Sequence, residues 1–277
     1  MSYKNLFGLL LFTALFCTGF LINGNLGLYF NASGLLIVLG GTAAAALLSF
    51  KVEQLRIVYR VMKASYHHPL KSETEIINIL IDLSIKSRLD GILSLQKEEN
   101  ETTILFLRRA LGCLVDGYGT EQIRDILNTE MYFFKLRREE LQRILRSIGD
   151  FFPAFGIIGS VVGLIAMLNG IGDTSILLKA VPIALTSTLY GLILANFFFL
   201  PFAANLRERT NHELLLQKII TEGVIAINSE VNPIILKTRL ESFLTPSSRD
   251  LDLVSYRKIR ERFNIELQEK NNLEPVC

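Results

Sequence analysis

Residues 152–168 read FPAFGIIGSVVGLIAML. The run is long and apolar enough to cross a bilayer, since about 20 such residues in a helix span roughly 30 Å of hydrocarbon. Yet it opens on a proline, Pro153, and carries Gly156, Gly159, Ser160 and Gly163, residue types that disfavour a helix in water. Helices associate in lipid chiefly through close packing, and small side chains let two backbones approach. The stretch therefore predicts a membrane helix that packs against other helices through its small residues.

Working outward, the segments Leu6 to Ile22, Ala32 to Phe50, Phe151 to Leu168 and Ala180 to Phe202 contain no Asp, Glu, Lys, Arg or His. Each has the length of a span, so four transmembrane helices are expected. In the last of them Ser187, Gly191 and Ala195 recur at intervals of four and make a second small face. Lys4 precedes the first run as it would in a signal peptide. No small-x-small site follows convincingly and a second apolar run begins within ten residues, so a retained span is expected.

The net charge is +2 and half of the chain is apolar, with no basic patch of the kind that binds nucleic acid. Apart from Lys4 and Lys179, every Lys and Arg lies in residues 51–150 or 203–277. Positive charge collects on the cytoplasmic side, which puts both termini and both charged regions there. NGNLGLYFN (23–31) and NGIGDTSILLK (169–179) are then external. Cys17, Cys113 and Cys277 show no metal or redox spacing, and a cytoplasmic setting argues against a disulfide.

The charged regions read as helix. In VEQLRIVYRVMKASY (52–66) Leu55, Val58, Tyr59 and Met62 form a stripe opposite Arg56, Arg60 and Lys63. Such a helix lies in the plane of the membrane surface or packs on a bundle. His67 and His68, beside Pro69, suit a solvated turn better than a metal site. Ser72 and Glu75 form a capping box ahead of Ile76, Ile79, Leu80 and Leu83. Thr120 is a candidate N-cap. Leu141, Ile144, Leu145 and Ile148 stripe a helix that meets no breaker before Gly149. Nothing alternates for long with period two. The expected fold is all-α: spans 1 and 2 in residues 1–50, a helical cytoplasmic loop in 51–150, spans 3 and 4 in 151–202, and a cytoplasmic helical region with a tail in 203–277.

The chemistry of the spans lies in hydroxyls. Ser160 shares the small face of the third span, and Thr186, Ser187 and Thr188 cluster in the fourth, with Asn196 two turns on. A single hydroxyl often only bonds the carbonyl four residues back, but several on facing small surfaces can line a hydrated path. No span contains a carboxylate, the group on which intramembrane ion sites ordinarily depend. If ions pass, another chain must supply it. No HExxH, P-loop or Gly-x-Ser-x-Gly string occurs, so no enzyme activity and no cofactor or metal is expected.

Several longer strings carry a family resemblance: LLIVLGGTAAAALLSF (35–50), SRLDGILSL (87–95), DGYGTEQIRDILNTEM (116–131), residues 152–168, PIALTSTLYGLILANFFFLPFAANL (182–206) and EGVIAINSEVNPIILKTRLESFLTP (222–246). With the span order and the loop of about a hundred residues, the chain resembles the MotA/PomA family of flagellar stator subunits, within the wider MotA/TolQ/ExbB superfamily. The resemblance implies a homo-pentamer in the bacterial inner membrane around two copies of a MotB/PomB-like partner that carries the ion-binding aspartate. Proton or sodium flow then turns the ring against a FliG-like rotor protein. It implies that Ser160 and Thr188 line the ion path, to which the hydroxyl cluster adds Thr186 and Ser187, and that Pro153 and Pro201 couple ion passage to movement, Pro201 ending the fourth span. Gly156, Gly159, Gly163 and Gly191 serve helix packing. A serine at Ser160 keeps the oxygen that can coordinate sodium. Arg88 matches the family's rotor-facing arginine; the glutamate expected eight positions later is Gln96, for which Glu98 and Glu99 are candidate substitutes. The competing readings are a TolQ/ExbB-type motor, which has three spans, a phage-defence relative, which carries a long extension, and a non-conducting scaffold.

Overall fold

The computed structural model describes residues 29–65, 71–169 and 173–244, with six positions of the first apolar run, 11, 14, 15, 18, 19 and 22, all helical. The rest of the first expected span, the His67–His68 turn and the tail from Pro246 to Cys277 lie outside the described residues. The regular elements among those described are all helical: α1 (Ala32–Ser49), α2 (Val52–Ser65), α3 (Glu73–Asp90), a 3-10 turn (Ile92–Leu95), α4 (Gln96–Glu101), α5 (Leu105–Val115), α6 (Thr120–Asn169), α7 (Thr174–Ile193), a π-helical segment (Leu194–Phe199), α8 (Leu200–Asn228) and α9 (Pro233–Glu241). Three helices among the described residues are long and apolar enough to cross a membrane: Ala32–Ser49, Thr120–Asn169 and Thr174–Asn228.

The chain divides into two compact units, Met1–Met62 with Leu141–Ala204, and Lys63–Glu140 with Asn205–Cys277. In the first, α1 starts where the Asn31 side chain accepts the Gly34 N–H at 2.9 Å and ends where Phe50 becomes extended. Its buried residues, Gly34, Val38, Thr42 and Ala46, recur every four positions and make one packing stripe. On α2 it is Val58 that is buried, whereas Tyr59, expected on the same stripe, is 68% exposed, because it lies about 100° around the helix from Val58.

None of the three prolines of the spans, Pro153, Pro182 and Pro201, starts or stops a helix, Pro182 lying inside α7. Pro153 lies inside the 50-residue α6. Pro201, expected at the end of the fourth span, does not end the helix: helical structure continues through it to Asn228. Proline lacks an N–H and its ring crowds the carbonyl four residues back. The chain accommodates this by widening into the π segment immediately before, where the Leu200 N–H reaches the Ala195 carbonyl five residues back.

In the second unit the capping box forms as expected, Ser72 Oγ accepting the Glu75 N–H at 3.2 Å. Thr120 is the first helical residue and not a cap; the Gln122 side chain takes the Gly119 N–H at 3.0 Å, leaving Thr120 Oγ1 to accept from Asn228 at 3.1 Å. The core gathers Ile76, Leu80 and Leu83 of α3, with Leu107 and Leu111 of α5, Ile123 and Leu127 of α6, Ile219 and Val224 of α8, and Leu236 and Leu240 of α9. Ile79 is only partly buried, since α3 already turns Ile77 and Ile81 into the core. Gly223 gives α3 close access to α8: a Cβ there would lie 2.7 Å from Leu80 Cδ1. Cys113 is a buried free thiol whose pKa burial pushes up.

Residues Thr221 to Ile227 are all buried, so about two turns of α8 are enclosed on every side. The enclosure holds a carboxylate, Glu222, which receives Lys218 at 3.2 Å and Arg239 of α9 at 2.5 Å. Lys218 and Arg239 are themselves 43% and 49% exposed and stay solvated without the carboxylate, so its removal costs about 1–2 kcal/mol, mainly the lost charge-assisted hydrogen bond. Glu222→Ala is expected to lower the thermal midpoint of the full chain in detergent by several degrees, and an unchanged melt would show that the cluster contributes nothing.

Candidate functional site

The small residues of α6 and α7 form a seam in the first unit. A Cβ added at Gly156 would lie 3.1 Å from the Ser187 carbonyl oxygen, one at Gly163 2.6 Å from the Ala184 nitrogen, and one at Gly191 2.5 Å from the Phe152 carbonyl oxygen. Backbone thus approaches backbone at three levels, each requiring the absence of a side chain. At Gly159 the neighbour is the Ser187 side chain, with Cβ and Oγ both 2.5 Å from the added atom.

Two of the four hydroxyls expected on the ion path meet across this seam. Ser160 Oγ donates to the Ala184 carbonyl at 2.5 Å and lies 2.5 Å from Thr188 Oγ1. A hydroxyl has one proton. With that of Ser160 on the Ala184 carbonyl, Thr188 donates to Ser160, and its 3.4 Å approach to the Gly156 carbonyl is the long alternative. Thr188 therefore keeps lone pairs free, and both residues are only half-buried. Such an oxygen can take a proton donor or help strip water from a cation.

The other two are placed differently. Thr186 donates to the Pro182 carbonyl at 2.7 Å and Ser187 to the Ile183 carbonyl at 2.6 Å, each four residues back. Ser187 is fully buried and Thr186 nearly so. Gly34 of α1 makes room for them, since a Cβ there would lie 2.8 Å from Ser187 Oγ and 3.2 Å from Thr186 Oγ1. Ser187 is thus wedged between Gly34 and Gly159. Sequence reasoning passed over Gly34 and Gly41; at the latter an added Cβ would lie 2.1 Å from the Phe155 ring. Their signal was available in the GG pair and small residues of 32–50. Tyr190, also passed over, joins α7 to the entry of α1, accepting the Asn31 N–H at 2.7 Å and donating to the Tyr29 carbonyl at 2.5 Å. Thr42 is buried with no hydrogen-bond partner for its hydroxyl among the described residues. Asn196 is exposed and donates to the Leu192 carbonyl at 2.9 Å.

The two irregular stretches flank one apolar cluster. Pro153 leaves the carbonyl of Gly149 without its helical donor, and a Cβ at Gly149 would sit 3.1 Å from Leu200 Cδ2, one residue before Pro201. Val38, Phe152 and Ala195 pack there with Ile148, Leu194 and Phe199, the Phe152 and Phe199 rings 4.9 Å apart. At the other end of α7, Asp173 caps the helix by accepting the Ser175 N–H at 2.8 Å. Its hydrogen bonds with Ser175 hold the carboxyl below the usual range.

The candidate rotor residues belong to the second unit. Arg88 donates to the Glu230 carbonyl at 2.6 Å, at a turn where Glu230 has φ 50°. It lines an open groove of about 540 Å³ with Asp90, Gly91, Leu93 and Glu230. Glu98 pairs with Lys86 at 2.8 Å, the hydrogen bond that chiefly raises the lysine pKa. Glu99 lies against Gly112, its Oε1 3.1 Å from where a Cβ would stand. Among the described residues no ion pair joins Arg88 to Glu98 or Glu99.

Residues 98–218 match the model of the MotA/TolQ/ExbB proton channel family. The chain is 33% identical over 222 residues to the uncharacterized protein YtxD of Bacillus subtilis (strain 168), covering 80% of each. To motility protein A of Borreliella burgdorferi it is 32% identical over 224 residues, 81% of this chain and 86% of the relative. Its fold matches a chain in the structure of C. jejuni MotAB with a TM-score of 0.82 at 26% identity, over 92% of this chain and 100% of the other. The similarity in sequence and in fold extends over most of the chain, and the chain belongs to the MotA/PomA family of flagellar stator subunits, within the MotA/TolQ/ExbB proton channel family.

Proposed function

We propose that this chain is the ring-forming half of an ion-driven motor whose conduction route is completed by a carboxylate on the single membrane helix of a MotB/PomB-like partner. The observation that carries the reading is the Ser160–Thr188 pair. It is a half-buried hydrogen-bonded couple between two helices, in segments that contain no Asp, Glu, Lys, Arg or His from Phe151 to Leu168 or from Ala180 to Phe202. A hydroxyl pair can relay or desolvate an ion, but it cannot hold a charge in hydrocarbon by itself. The C. jejuni relative is a MotAB complex, which supports a partner of this kind.

In this reading five copies surround two partners in the cytoplasmic membrane, with both termini and the basic residues inside. Protonation or sodium binding on the donated carboxylate changes its contact with Thr188. Pro153 and Pro201, beside the shared Val38–Phe152–Ala195 cluster, transmit that change. Arg88, Glu98 and Glu99 face a FliG-like rotor protein, with the open groove beside Arg88 as the docking surface. No cofactor is required; the passing ion is H+ or Na+.

The test is flux in vesicles. The chain reconstituted alone should carry no selective current above empty vesicles, and the chain with its partner should conduct when a proton or a sodium gradient, applied separately, matches the motor's ion. A current for the chain alone as large as that of the complex would overturn the proposal.

A further inference from the structure

We infer that α2 is a docking surface for anionic lipid headgroups at the membrane boundary where α1 ends. Two linking residues, Phe50 and Lys51, separate Ser49 of the span from Val52 of α2. Even fully extended, the three Cα–Cα steps from Ser49 to Val52 reach about 11 Å at most, so the first turn of α2 starts close to the end of the span. The stretch to Met62 belongs to the same compact unit as the span itself.

The side chains fit that place. Val58 faces inward and is 5% exposed. On the opposite side Arg56 and Arg60, at i and i+4, form an exposed cationic ridge. Glu53 is the one acid on the helix. Among the described residues neither Arg56 nor Arg60 has a carboxylate within ion-pair distance. The ridge is flanked by exposed apolar side chains, Ile57 on one side and Val52 and Tyr59 on the other. Apolar groups beside a row of guanidinium groups are what a headgroup boundary accommodates: the former enter the acyl edge while the latter meet phosphate through forked hydrogen bonds. A tyrosine there has its ring in the apolar part and its hydroxyl in the wet part. Neutral zwitterionic headgroups also present phosphate, but the net positive charge of the ridge selects lipids with net negative charge. Juxtamembrane basic residues contribute roughly 1 kcal/mol each, about fivefold in local lipid occupancy.

The chain contains no tryptophan, so Tyr59→Trp introduces a single reporter. Full-length Tyr59→Trp protein is placed in phosphatidylcholine nanodiscs with a minor share of phosphatidylglycerol, one or the other lipid brominated on its acyl chains. Quenching by brominated phosphatidylglycerol should exceed the value for its mole fraction several-fold. Adding Arg56→Gln and Arg60→Gln should return it to the mole-fraction value, and Arg56→Lys with Arg60→Lys should keep most of the preference. Equal quenching by the two lipids in the parent, a preference that survives the glutamine pair, or an introduced indole that neither lipid quenches would each overturn the assignment. The nanodisc is symmetric, so the result is independent of which way the chain spans and of whether it conducts.

Discussion

Gly191→Ala is expected to open the α6–α7 seam. The added methyl carbon would lie 2.5 Å from the Phe152 carbonyl oxygen and 3.2 Å from Gly156 Cα. Both neighbours are backbone, so no side-chain rotamer can relieve the contact. Restoring an ordinary separation of about 3.5 Å requires the two helices to part by roughly 1 Å. The other close levels, Gly156 against Ser187 and Gly163 against Ala184, lie on the same seam and would be loosened with it, as would the 2.5 Å Ser160–Thr188 bond. Overpacking of this kind costs about 1–3 kcal/mol or more. A clear drop in the melting temperature of detergent-purified protein should accompany the loss of partner-dependent flux. Gly40→Ala is the control, because nothing stands within 4 Å of its added Cβ and alanine is the better helix former by about 1 kcal/mol. Identical melts for the two variants would remove the seam from the account of this fold.

The second large effect belongs to Thr188. Thr188→Val keeps the branched shape and removes the oxygen. If that oxygen meets an ion or the partner's carboxylate, flux and torque should fall by about ten- to a hundredfold, the range for one charge-assisted hydrogen bond, while the melt stays near that of the parent. Thr188→Ser should retain most of the flux. Ser187→Ala supplies the contrast. Its hydroxyl is fully buried and bonded to its own helix at Ile183, so flux should stay near the parent value. Equal losses in Thr188→Val and Ser187→Ala would return the whole hydroxyl cluster to the path and contradict the geometry.

Much of the fold was legible because its signals are local. The Ser72–Glu75 cap, the inward faces of Ile76, Leu80 and Leu83, and the charge-free lengths of residues 32–50, 151–168 and 180–202 each depend on residues within a few turns of one another. The sequence was less informative where a local rule met a packed environment. Pro201 marks the end of an apolar run, which says nothing of whether the helix goes on; the preceding turn widens to bond five residues back and the helix continues. Tyr59 reads as part of an apolar stripe, but only Val58 among the stripe's four residues is fully turned inward.

The site divides in the same way. Sequence alone determined that small and hydroxylated residues occupy two spans and that no carboxylate accompanies them, since composition and spacing require no knowledge of neighbours. Only the tertiary structure decided among the hydroxyls. It joined Ser160 to Thr188 across 28 residues and placed Thr186 and Ser187 against Gly34. Three adjacent positions on a helix point in three directions about 100° apart, and which direction meets a second helix is set by the packing of α1, α6 and α7, not by the order of the residues.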